Sequence, residues 1–101
     1  MRLTTEQISA IKELAIDSFG EQAVVHLFGS RTDDRKRGGD IDLYIETDMR
    51  DLGSIVDAKL RFLAKLKYRI GDQRIDVVLN YPTRRRLPAI IDIAKQTGVR
   101  L

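Results

Sequence analysis

Apolar residues recur at helical spacing over positions 4–19, where Ile8, Ile11, Leu14 and Ala15 fall on one side. Thr4 and Gln7 stand three apart at the head of that stripe, as a capping box requires, and Gly20 marks its end. The pattern then changes. Positions 23–28 are nearly continuously apolar, which predicts a buried strand. Gly29-Ser30 turns the chain into a short helix ahead of the Gly38-Gly39 break. Positions 41–46 predict a second strand. The longest helical stretch is 51–70, with Leu52, Ile55, Val56, Leu63, Leu66 and Ile70 on a shared stripe. A turn at 71–73 leads into a third strand over 74–80, which Pro82 closes. Positions 88–96 predict a last helix before Gly98, and 99–101 a short tail or edge strand.

Helix, strand, turn, strand, helix, strand, helix is the order of an α/β (α+β) fold, a small mixed β-sheet flanked by helices. With 101 residues the chain suits one domain, 1–101. Its 43% apolar and 33% charged residues predict a soluble globule with one modest core. No apolar run reaches the length of a membrane span, and the first residues read as an amphipathic helix rather than a signal peptide. Cysteine is absent, which removes disulfides and thiolate metal sites. These features predict a cytoplasmic protein without a membrane partner.

The net charge of +3 matters less than where the cations fall. Arg35-Lys36-Arg37 precedes the second strand and Arg84-Arg85-Arg86 follows the third. Such clusters attract phosphate, or simply keep a loop solvated. Few aromatic residues accompany them, which argues against direct binding of single-stranded nucleic acid. His26, the one histidine, reads as an ordinary strand side chain, and Tyr44 and Tyr81 as packing or surface residues.

The chemistry lies in the strands. Asp40 and Asp42 alternate with Ile41 and Leu43, so both project to one side with backbones roughly 7 Å apart. Like charges so placed repel unless something positive lies between them. In the third strand Ile75, Val77 and Leu79 share one face, and Asp76 takes the other beside Val78 and Asn80. Three carboxylates near one another suit magnesium, which prefers such oxygens together with substrate phosphates. Two divalent ions about 3.5–4 Å apart clamp the attacking and leaving oxygens of a phosphoryl transfer. Asp76 would complete such a site and help draw off the nucleophile's proton. Gly29 and Ser30 stand where a strand passes into a helix, a place whose free N–H groups attract phosphate. Arg31 follows as a fork-shaped donor to phosphate oxygens.

Gly29-Ser30, the spacer 31–39, "DIDL" at 40–43 and Asp76 within "RIDVVL" together resemble the signature of the nucleotidyltransferase superfamily that includes DNA polymerase beta. The short chain is similar to the minimal nucleotidyltransferases, or MNT proteins. The likeness spans about 23–80, and the flanking helices follow it loosely. Asp34 stands near a position where glycine is common in that family, and Gly39 where serine is frequent.

The resemblance implies transfer of a nucleoside monophosphate from a nucleoside triphosphate to a hydroxyl, with two Mg2+ ions. By position, Asp40 and Asp42 would hold the metals and Asp76 would complete their site. Gly29, Ser30 and Arg31 would hold the triphosphate. Minimal members are often paired with a HEPN-domain ribonuclease toxin, and some add AMP to a tyrosine of that toxin. The expectation is therefore an antitoxin enzyme that moves AMP from ATP onto a hydroxyl of a HEPN partner. An antitoxin acting by physical capture alone is the alternative, and nucleotide addition to RNA ends ranks below both.

Overall fold

A computed structural model of the chain describes residues 3–28, 41–71, 73–84 and 98–101. Its elements follow the order helix, two strands, helix, two strands. Helix α1 (Thr5–Phe19) begins with the expected capping box. Thr4 Oγ1 accepts from the Gln7 N–H at 3.0 Å, and Gln7 Oε1 accepts from the Thr4 N–H at 2.9 Å. It ends at Gly20, whose φ of 102° lies where a Cβ would be strained. Helix α2 (Leu52–Ile70) starts one residue later than the predicted 51–70, because Asp51 serves as its N-cap and accepts from the Ser54 N–H at 2.9 Å. That bond, with a second from the Ser54 hydroxyl, holds the Asp51 carboxyl below its ordinary pKa.

The strands β1 (Val24–Phe28), β2 (Ile41–Glu46), β3 (Ile75–Asn80) and β4 (Val99–Arg100) make one mixed sheet in the order β3-β2-β1-β4. β1 runs antiparallel to both β2 and β4, and β2 runs parallel to β3. A parallel neighbour needs a crossover, and α2 is that crossover. The alternative left open for 99–101 resolves as an edge strand, with the Leu101 N–H bonded to Val25 O at 2.9 Å. The Gly29-Ser30 turn, the short helix after it and the predicted helix at 88–96 fall outside the described residues.

Both described helices pack on one face of the sheet. Ile11, Leu14 and Phe19 from α1 and Ile55, Phe62 and Leu66 from α2 meet Leu27, Ile41, Leu43, Ile45, Val77 and Leu79. Phe19 and Phe62 form the helix-to-helix contact, with ring centroids 5.5 Å apart and planes tilted by 51°. The stripe that α2 buries is narrower than its sequence predicts. Ile55, Ala58, Phe62 and Leu66 are buried, whereas Leu52 and Val56 are 58% and 49% exposed. The ion pairs Lys65–Asp17 (3.0 Å) and Arg69–Glu13 (2.8 Å) accompany this rotation, which turns α2 toward α1. Thr47, just past β2, is the buried polar residue of the described core. Its hydroxyl donates to Phe19 O at 2.7 Å and accepts from the Met49 N–H at 3.2 Å, which ties the end of the sheet to the end of α1.

Candidate functional site: the sheet face opposite the described helices

Alternation divides each strand between the helix-covered face and the other. In β2, Ile41, Leu43 and Ile45 go to the core, so Asp42, Tyr44 and Glu46 take the second face. In β3, Ile75, Val77 and Leu79 are buried and Asp76, Val78 and Asn80 are not, as the apolar alternation predicts. Register then sets the neighbours. Phe28, Asp42 and Asp76 stand abreast across β1, β2 and β3, and one step along the sheet His26, Tyr44 and Val78 do the same. Val24, Glu46 and Asn80 form the third row.

Asp42 and Asp76 are therefore direct partners on adjacent parallel strands, with backbones about 4.8 Å apart. Asp42 is half-buried and Asp76 exposed. Phe28 covers the site on its β1 side and packs with Tyr44 and Val78 in a small apolar cluster on this face. Low-dielectric side chains beside a carboxylate pair strengthen its pull on a cation. Asp40, Gly29, Ser30 and Arg31 lie outside the described residues, so two of the three predicted carboxylates are brought together here. Among the described residues there is no cluster of three or more metal-ligating side chains. Oxygen donors of this kind fit Mg2+, and Asp42 and Asp76 supply two of them.

A hydrogen-bonded chain missed by the sequence reading braces the same face. The Tyr44 hydroxyl donates to Glu46 Oε1 at 2.7 Å and accepts from Asn80 Nδ2 at 3.1 Å. Tyr44 is fully buried, and the His26 ring lies 5.7 Å away, centroid to centroid. Burial first, and then donation to the Glu46 carboxylate, push the Tyr44 phenol up to about 12, against a smaller opposing effect from Asn80. The signal for this chain was the shared parity of Tyr44 and Glu46 in one strand and of Asn80 in the next. His26 is a strand residue as expected, and its buried Nδ1 has no hydrogen-bond partner among the described residues. Arg84 donates to Leu79 O at 2.6 Å and lies 5.7 Å from the centre of the Tyr81 ring, while Arg85 and Arg86 fall outside the described residues. No described helix is long and apolar enough to cross a membrane.

No family model matches the chain, and no curated protein matches it as a relative.

Proposed function

We propose that the chain is a magnesium-dependent nucleotidyltransferase that moves a nucleoside monophosphate, AMP from ATP, onto a protein hydroxyl. In this reading it acts as the antitoxin of a HEPN-domain ribonuclease toxin. The observation that carries the proposal is the register pairing of Asp42 with Asp76 on the sheet face opposite the described helices. Two carboxylates side by side cost stability unless a cation joins them, and the mixed sheet is consistent with a polymerase-beta-like core. The resemblance in "LFGSR" and "GGDIDL" supplies the reaction class and the partner.

The acceptor oxygen attacks the α-phosphorus of ATP, the bond from that phosphorus to the bridging oxygen breaks, and pyrophosphate leaves with the electron pair. Asp76, exposed at the mouth of the site, takes the acceptor's proton. Asp42, half-buried beside Phe28, holds its carboxylate in a fixed place and, with Asp40 and Asp76, would hold the metal. When bound, Mg2+ supplies the positive charge that offsets the phosphate oxygens in such a transfer. Gly29, Ser30 and Arg31 would receive the triphosphate.

The test incubates the chain with a HEPN partner, ATP and Mg2+ and follows the partner's mass. A rise equal to one AMP, lost with Asp76→Asn, is the expected result. An unmodified partner that is nonetheless inhibited would replace this reading with capture by binding.

A further inference from the structure

Among the described residues strand β3 is an edge of the sheet. Arg74 O accepts from the Ile41 N–H and Asn80 O from the Thr47 N–H, so the even-numbered residues of β3 turn their main-chain groups to β2. In a parallel ladder Ile75, Val77 and Leu79 must then turn theirs outward. Among the described residues only the Arg84 guanidinium reaches that edge, at Leu79 O. Beside it lies an open groove of about 330 Å³, lined by Leu52, Val56 and Lys59 of α2 and by Val77, Val78 and Leu79 of β3. Along this flank α2 exposes Leu52 (58%), Val56 (49%) and Leu60 (62%), spaced four apart. An apolar strand edge unpaired among the described residues, next to an exposed apolar stripe, is the pattern that soluble proteins avoid unless something covers it.

We infer that a second copy of this chain covers it, through antiparallel pairing of the two β3 edges about a two-fold axis that passes by Val78 and Val56. This goes beyond the proposed activity and does not rest on it. A two-fold interface must be complementary to itself, and both elements satisfy that condition about the same groove. On α2 the axis sets Leu52 against the partner's Leu60 and Val56 against its own counterpart. On β3 it sets Val77 against the partner's Leu79 on the core side, and Asp76 against the partner's Asn80 on the other. Apolar thus meets apolar and carboxylate meets amide. Val77 and Leu79 carry the outward main-chain groups, so these pairs exchange N–H···O bonds, and a carbonyl's second lone pair lets Leu79 O keep Arg84. Arg84 lines the groove beside Lys59, and of these two cations Lys59 is not opposed to its own counterpart. Lys59 falls level with the partner's Gly53, which separates the two ammonium groups by about 9 Å along the helix axes.

Sedimentation of the purified chain over a range of concentrations tests the inference. The expected result is a reversible monomer–dimer equilibrium. Leu52→Glu alone and Leu60→Lys alone should each weaken it by roughly tenfold or more. Both sites are exposed, so far-ultraviolet dichroism should report an unchanged fold. Combining the two in one chain should restore dimerisation, because each carboxylate then faces an ammonium of the other copy. Within one α2 the two positions lie about 12 Å apart, too far to pair. A chain monomeric at every concentration, a dimer indifferent to the single changes, or a double variant as dissociated as the singles would each overturn the inference. So would a monomer whose capture of a HEPN partner is lost in the single variants, since that assigns the groove to the partner.

Discussion

Asp42 and Asp76 face the same side of the sheet from directly opposed positions on β2 and β3. Asp76→Asn removes one of two neighbouring negative charges at constant size. Without metal the variant should be as stable as the wild type or more stable, by up to about 1 kcal/mol, since like charges opposite one another destabilise a sheet. Added Mg2+ should raise the wild-type melting temperature and raise that of the variant less. Equal metal-induced shifts in the two proteins would remove Asp76 from the site.

Tyr44 links β2 to β3 through its hydroxyl, so Tyr44→Phe leaves Glu46 and Asn80 without it and should cost about 1–3 kcal/mol in urea denaturation at neutral pH. The pH dependence has a definite sign. The phenol ionises at about 12 in the folded protein against 10.0 ordinarily, so its contribution is complete below pH 10 and is lost as pH rises through about 12. The difference in stability between wild type and Tyr44→Phe should therefore shrink over that window. A constant difference from pH 9 to about 12 would mean that neither burial nor the Glu46 contact raises the phenol's pKa in the folded protein.

Thr47→Val keeps the shape and removes both hydrogen bonds of the side chain. Phe19 O loses a donor and the Met49 N–H an acceptor, at a cost of about 1–3 kcal/mol. Faster hydrogen exchange should appear at the C-terminal end of α1, and a loss spread evenly over the sheet would count against this role.

Phe62→Ala empties the contact between α2 and Phe19 and should cost about 3–5 kcal/mol. A domain of this size has a total of about 5–15 kcal/mol, so the variant should melt well below the wild type. Glu13→Gln, by contrast, breaks an ion pair whose partners are half in water and should change stability by less than about 1 kcal/mol. The ratio of the two effects, read from denaturant midpoints, tests whether apolar packing or surface charge joins the helices.

Strand faces were legible because side-chain alternation has a period of two. Ile75, Val77 and Leu79 against Asp76 needed nothing beyond that rule. Which residue of β2 stands opposite Asp76 was not legible, since register is set by how the whole crossover packs. The buried side of α2 was read only in part. Leu52 and Val56 belong to an apolar arc that overlaps the one through Ala58 and Phe62, and the sequence cannot choose between arcs that close in angle. Packing against α1 chooses. The Tyr44–Glu46–Asn80 chain escaped notice because it joins two strands far apart in sequence. Gly29, Ser30, Arg31 and Asp40 carry the resemblance and lie outside the described residues, and of the predicted site residues Asp42 and Asp76 lie within them.

The crossover has a bearing on how the chain matures. β2 and β3 are separated by the whole of α2, so their carboxylates become neighbours only when the loop that α2 spans has closed and the two strands have paired. A nascent or partly unfolded copy, in which β1 has found β2 but β3 is still loose, holds Asp42 without Asp76. Under the proposed function such a copy would be inert rather than half-active. On that same reading, activity would mark a molecule in which β3 has already joined the sheet.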